Sequence, residues 1–207
     1  MKVSVIGTGY VGLVSGVCLA EKGHDVVCVD RDPRKVNLVL EGKSPIYEEG
    51  LDDLLLAHAG KRLTATTDVE KAVLESEVSL IAVGTPFDGS AIDVSYIRGA
   101  ANDIGRALAK KNGFHAVVVK STVVPGTTDD VVAPIVAETS GKKLGEGFGV
   151  AMNPEFLREG SAVGDFMDPD RIVYGAERPA DLGNPRRAVC GVSGRRQIRT
   201  TARTAEM

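Results

Sequence analysis

The first thirty residues constrain the fold more than any other stretch of the chain. Lys2 to Ile6 is short, mostly apolar and β-branched, a strand that runs directly into Gly7-Thr8-Gly9-Tyr10-Val11-Gly12. Leu13 to Ala20 then has helical spacing. The three glycines do different things. Gly7 allows the tight turn, Gly9 lets backbone approach a pyrophosphate, and Gly12 lets the helix pack close to the strand. The helix N-terminus faces the phosphates, where unpaired amides and the positive end of the dipole favour an anion without any lysine. A second strand, Val26 to Val29, ends at Asp30, 18 residues beyond Gly12. A carboxylate there accepts hydrogen bonds from ribose hydroxyls and repels a 2′-phosphate, so the cofactor expected is NAD rather than NADP. Arg31 and Arg34 are near enough in sequence to reach a phosphate, although solvated or adenine-stacking arginines fit them better.

A lone glycine motif is weak evidence, because turns need glycine whether or not they hold a ligand. Strand, turn, helix, second strand and acid in register make the dinucleotide reading strong. Of 207 residues, 43% are apolar and the net charge is −3, enough material for a sizeable core. No basic block in the first 175 residues implies a nucleic-acid or membrane partner. The partners expected are small molecules. Residues 3 to 20 imitate a signal peptide or membrane span, but their glycines and the strand and acid that follow argue against targeting. Cys18, Cys28 and Cys190 have neither disulfide nor metal spacing, so they read as reduced residues of a cytoplasmic protein, with no metal.

Further along, Asp32 and Pro33 open a helix over 34–40 that Gly42 closes, and 51–57 reads as a short helix. A strand at 63–66 follows, then a helix capped by Asp68 and reaching about Glu75. Strands are expected at 78–83, 116–119, 149–152 and 171–174, and helices at 96–110 and 127–138, the latter kinked at Pro134. The alternation predicts an α/β fold, a doubly wound parallel sheet of Rossmann type. Ligands lie outside the carboxyl ends of such strands. The exits carry the glycine turn, Asp30, Val83-Gly84-Thr85-Pro86, Lys120-Ser121-Thr122 and Asn153-Pro154-Glu155. Any one exit could be turn chemistry alone; five together favour a shared cleft.

GTGYVGLVSG at 7–16, SPIYEEGL at 44–51, AVGTP at 82–86, VKSTVVPGT at 119–127 and NPEFLREGSA at 153–162 resemble the UDP-glucose/GDP-mannose dehydrogenase family over roughly residues 1–175. The resemblance implies oxidation of the C6 hydroxymethyl of a nucleotide sugar, UDP-glucose to UDP-glucuronate before GDP-mannose, with NAD. It adds Tyr10, Val11, Lys35, Thr85, Pro86, Ser121, Thr122 and Glu159 to the cofactor contacts at Gly7, Gly9, Gly12 and Asp30. It also implies that Glu155, Phe156, Leu157, Arg158 and Glu159 cover the sugar nucleotide, and that Glu155 and Thr122 are catalytic. Removing hydride from an alcohol requires a group to take the hydroxyl proton, and a carboxylate desolvated by Phe156 and Leu157 would suit that work. Without the resemblance, Glu155 and Glu159 read as a solvated pair on a helix face.

The family's second oxidation uses a cysteine in a GxCxPKD setting, with a lysine and an asparagine from a long central helix, and these 207 residues lack them. Cys190 is followed by Gly-Val-Ser and is not expected to be a nucleophile. Two regions are expected: 1–176, the cofactor domain, and 177–207, an irregular arginine-rich tail, truncated or frame-disturbed, with Thr204 to Met207 resembling the entry into the central helix. Family dimerisation through that helix is therefore doubtful for this chain. Two other classes compete: a non-catalytic NAD-binding module or fragment, and a β-hydroxyacid dehydrogenase, against which NPEFLREGSA argues.

Overall fold

The computed structural model describes residues 1–87, 89–176 and 196–207. Along the chain come β1 (Lys2–Ile6), α1 (Tyr10–Glu21), β2 (Asp25–Val29), α2 (Pro33–Leu40), α3 (Leu51–His58), β3 (Leu63–Thr66), α4 (Val69–Glu75), β4 (Val78–Ile81) and α5 (Ser95–Ala109). Then follow β5 (His115–Val119), a π-helical turn (Thr127–Val132), α6 (Ala133–Ser140), β6 (Phe148–Met152), α7 (Ala162–Met167), β7 (Ile172–Gly175), β8 (Gln197–Thr200) and α8 (Ala202–Ala205). The sheet order is β3-β2-β1-β4-β5-β6-β7-β8. From β1 the chain winds outward through β2 and β3, returns to β4 on the other side of β1, and winds outward again. The crevice beyond the ends of β1 and β4 is therefore the topological switch point where a ligand belongs.

Every residue of β4, β5 and β6 is buried, as in strands covered by helices on both faces, and the two polar ones in β4 and β5, Ser79 and His115, are hydrogen-bonded to each other at 2.8 Å. Their side chains alternate between two cores. Ala116 and Val118 of β5 join the cluster that holds Leu13, Val17, Leu51 and Leu55, whereas Val117 and Val119 join Ile97, Ile104 and Val136 on the opposite face. Helix α1 is buried from Gly12 to Ala20, which accounts for its apolar character all round. Asp32 and Asp68 cap α2 and α4 by accepting the amides of Arg34 and Lys71, each at 2.9 Å. The break expected at Pro134 takes the form of the π-helical turn before it, since proline has no N–H for the regular ladder. No helix among the described residues is long and apolar enough to cross a membrane.

The end of the chain differs from the expectation. Residues 197–200, read as part of an irregular tail, form β8, which pairs in parallel with β7 from Ile172↔Gln197 to Gly175↔Thr200. The strand β7 itself runs antiparallel to β6, so the sheet is mixed at this edge. Ala202 and Ala205 bury α8, and the Glu206 carboxylate accepts the amides of Gly126 (2.5 Å) and Thr128 (2.7 Å). The described part of the tail therefore belongs to the same sheet as residues 1–176. The expected irregular stretch from 177 to 195, including Cys190, Arg186, Arg187 and Arg195, lies outside the described residues.

Candidate functional site

The turn after β1 has a left-handed residue at Gly7 (φ +101°), whose amide donates to the Val29 carbonyl (2.8 Å) and splices the exit of β1 to that of β2. A methyl on Gly12 would sit 1.9 Å from the Gly7 carbonyl oxygen, so the helix can start this close to the strand only with glycine there. A methyl on Gly9 would meet nothing within 4 Å, because that residue faces the open cleft. Helix α1 begins with no side-chain cap and no acidic residue in its first turn, so its terminal amides are left for an incoming anion. A pyrophosphate fits this arrangement.

Asp30 borders the same cleft. Its Oδ2 accepts the Thr8 amide (2.9 Å) and hydroxyl (2.5 Å), and its Oδ1 accepts the Asp32 amide (3.0 Å). Burial pushes the carboxyl upward, but the donors from Asp32 and Thr8 and the nearby Lys35 ammonium, at 3.8 Å, outweigh it and hold the group below its ordinary range. Arg31 and Arg34 are engaged by Asp103 (3.6 Å) and Asp32 (2.9 Å) respectively, and both are largely exposed. The cleft is completed by Val83, Gly84, Tyr96 and Ala100.

The exits of β4 and β5 are tied to each other. The Thr85 hydroxyl donates to the Thr122 carbonyl (2.7 Å), and the buried Ser121 hydroxyl donates to the Val83 carbonyl (2.6 Å). Ser121 thus spends its hydroxyl on positioning the neighbouring exit. Thr122 is exposed, as is Pro86, whose carbonyl accepts the Asp93 amide (2.8 Å). Val11 lies half-buried in the first turn of α1.

Residues 153–160 have no helical geometry, so the reading of Glu155 and Glu159 as a pair on a helix face fails. Glu155 is half-buried, and its Oε2 accepts the Leu157 amide (2.6 Å). Arg158 grips Asp165 of α7 with its side chain (2.6 Å) and its amide (3.0 Å). The apolar cover expected over Glu155 is partial, because Phe156 is 45% exposed and carries the Arg171 guanidinium 4.2 Å from its ring centre. Glu159 is exposed, while the Tyr10 hydroxyl lies 3.3 Å from the Arg158 carbonyl and brings the two halves of the site together.

Sequence reasoning named Lys120 only as part of a strand exit. It is buried beneath this segment, donating to Asn153 Oδ1 (3.1 Å), and Asn153 in turn donates to the Val173 carbonyl (2.7 Å). Burial pushes the Lys120 ammonium down to about 8, with Glu155 pulling the other way. An unfolded lysine titrates near 10.5, so between about 8 and 10.5 the unfolded chain holds more protons and this group's contribution to stability rises with pH. Cys18 and Cys28, pushed up to about 12 by burial, act in the opposite sense at alkaline pH, so the effect has to be read against a variant. From neutral pH to about pH 10, the native chain should gain on Lys120→Met by on the order of 1–3 kcal/mol in urea unfolding. A difference independent of pH would refute the assignment.

The family model for the NAD binding domain of the UDP-glucose/GDP-mannose dehydrogenase family matches residues 1–192. The chain belongs to this family. The UDP-glucose 6-dehydrogenase AglM of Haloferax volcanii is 49% identical over 178 residues, which are 86% of this chain and 41% of that protein. A GDP-mannose 6-dehydrogenase of Pseudomonas aeruginosa is 48% identical over 177 residues, 84% of this chain and 41% of the relative. The crystal structure of a ternary complex of GDP-mannose dehydrogenase from Pseudomonas aeruginosa superposes with a TM-score of 0.94 at 43% identity, over all of this chain and 48% of that one. The chain spans less than half the length of these relatives.

Membership makes residues 1–192 the NAD binding domain of a family of NAD-dependent nucleotide-sugar 6-dehydrogenases. Besides Lys120, two residues that shape the site went unread in the sequence: Thr8, which holds Asp30, and Glu48, which meets Tyr10. The motif SPIYEEGL flagged the neighbourhood of Glu48 without giving its partner.

Proposed function

We propose that this chain forms the NAD-binding half of a nucleotide-sugar 6-dehydrogenase. On this reading Asp30 takes the ribose hydroxyls, the turn from Gly7 to Gly12 takes the pyrophosphate, and Thr85, Pro86, Ser121 and Thr122 border the far half of the cofactor. Bound NAD supplies the hydride acceptor. Glu155, oriented by the Leu157 amide, takes the proton from the sugar C6 hydroxyl directly or through a water shared with Thr122. The residues from Glu155 to Glu159 cover the sugar nucleotide. UDP-glucose is the first choice of substrate, on the form of GTGYVGLVSG and NPEFLREGSA. GDP-mannose is the second, favoured by the comparable identity to GDP-mannose enzymes.

The observation that carries this reading is the Asp30 carboxylate, held charged by three donors at the edge of a cleft whose floor is a glycine turn. A second reading, an NAD-binding module without turnover, draws on the thiols. Among the described residues the thiols are those of Cys18 and Cys28, both buried and pushed up to about 12, so neither is available as a nucleophile. One experiment addresses both. Calorimetry of the chain with NAD, then with UDP-glucose or GDP-mannose added, should register both ligands, with NADH formation absent or limited to the first oxidation. No heat with NAD would end the proposal, and binding of NAD without either sugar nucleotide would select the module.

A further inference from the structure

Glu48 is a charged group in an unusual place. Only 5% exposed, it stands where three distant pieces of chain meet: the first turn of α1, the end of the 153–161 segment and the start of α7. Its Oε2 accepts the Tyr10 hydroxyl and the Gly160 amide (2.9 Å), while its Oε1 accepts the Ala162 amide (2.7 Å). These partners are neutral. Burial raises the carboxyl, but the Tyr10 hydroxyl and the amides of Gly160 and Ala162 overcome it and hold the group below its usual range. Burial, together with Glu48, pushes the Tyr10 phenol up to about 12, so at neutral pH the phenol remains a donor and the carboxylate remains an acceptor.

A buried carboxylate held by neutral donors is a poor way to gain stability, since an apolar side chain would carry no desolvation penalty. What the carboxylate supplies is direction: it fixes Gly160 and Ala162 relative to Tyr10, the residue after Gly9. The other ties on the middle of the segment are exposed to solvent and weaker for it: the Tyr10 hydroxyl lies 3.3 Å from the Arg158 carbonyl, and Asp165 is held by the Arg158 amide and by an arginine side chain 78% exposed. At the segment's start, Asn153 is anchored by Lys120 and Val173. Between these two ends lie residues 154–159 without regular secondary structure.

The geometry points to Glu48 as a positioning residue that clasps the sugar-nucleotide segment to the first turn of the cofactor helix. This rests on the reading of residues 155–159 as that segment. Glu48 touches neither ligand; it determines where Glu155 to Glu159 stand when both are bound. A glutamine cannot replace it, because its NH2 would face one of the donors that the second oxygen now accepts.

The test is hydrogen exchange on the whole chain, with calorimetry alongside. In Glu48→Gln, exchange at the amides of Gly160 and Ala162 should quicken by about tenfold or more. The affinity for UDP-glucose or GDP-mannose, measured at saturating NAD, should fall by about tenfold, with NAD affinity changed by less than about threefold. Should that variant not fold, Tyr10→Phe removes a single donor and should still quicken exchange at Gly160. Unchanged exchange at both amides overturns the clasp. A fall in NAD affinity equal to the fall for the sugar nucleotide overturns positioning in favour of a merely structural role. Separately, a native chain that binds NAD but neither sugar nucleotide overturns the reading of the segment, while the exchange data still decide whether Glu48 holds it.

Discussion

Gly12→Ala should unfold the domain by roughly 10 °C or more before it has any chance to affect ligand binding, whereas Gly9→Ala should leave stability almost untouched and weaken NAD binding. The two substitutions add the same methyl group three residues apart, and the surroundings decide the outcome. At Gly12 the methyl would lie 1.9 Å from the Gly7 carbonyl oxygen and 3.2 Å from the Ala82 side chain. The first of these is backbone pinned by the sheet, so neither rotamer change nor small shifts can relieve the overlap, and about 3–5 kcal/mol is expected. For a domain of this size that corresponds to the stated shift in melting temperature, at about 2–4 °C per kcal/mol. At Gly9 the space is open, and the methyl stands only where a pyrophosphate must come close to backbone. A loss of about tenfold or more in NAD affinity should follow without a change in thermal unfolding. Circular dichroism melts and calorimetry on the two variants settle the matter. Equal melting of Gly12→Ala and native chain, or native NAD affinity in Gly9→Ala, would overturn this account of the turn.

Those glycines show why the front of the chain was legible in its sequence. Each demand on Gly7, Gly9 and Gly12 arises from atoms within a few residues or from the neighbouring strand, so it appears as a fixed local spacing. The same holds for Asp32 and Asp68, whose cap bonds reach two and three residues ahead. Strand β8 was not legible for the opposite reason. It has four residues; Gln197 and Arg199 are exposed, while Ile198 and Thr200 are only half-buried, so its composition resembles that of a loop. What makes it a strand is β7, whose last residue, Gly175, lets the backbone at Thr201 and Ala202 pass within a methyl's width. Glu48 is a harder case still. Its partners lie 38, 112 and 114 residues away, and no periodicity encodes such distances. The proposed sugar-nucleotide segment was therefore readable as a motif, while the contacts that hold it in place were not.

Asp30→Ala is expected to lower NAD affinity by about 30- to 100-fold, the loss of two hydrogen bonds from ribose hydroxyls to a charged acceptor. The substitution also strips the Thr8 amide and hydroxyl and the Asp32 amide of their acceptor, so some of the loss reflects a looser turn. Asp30→Asn separates these contributions: it keeps one oxygen in place, removes the charge, and should cost less affinity than alanine. Charge removal has its own signature. With the carboxylate gone, Lys35, now 3.8 Å from it, is freed beside Arg31 at the cleft, so discrimination between NAD and NADP should shrink by about tenfold in both variants. The sign with pH follows from the depressed carboxyl. Asp30 stays ionised through the ordinary carboxylate range near 3.8, so its stabilisation is fully present above that value and is lost only as pH falls through the lower value it has in the folded chain. NAD affinity should accordingly stay level from neutral pH down to about pH 5, with no inflection from this group. If Asp30→Ala binds NAD as tightly as the native chain, or prefers NAD over NADP as strongly, the carboxylate at the end of β2 does not read the ribose and the cofactor site must be placed elsewhere.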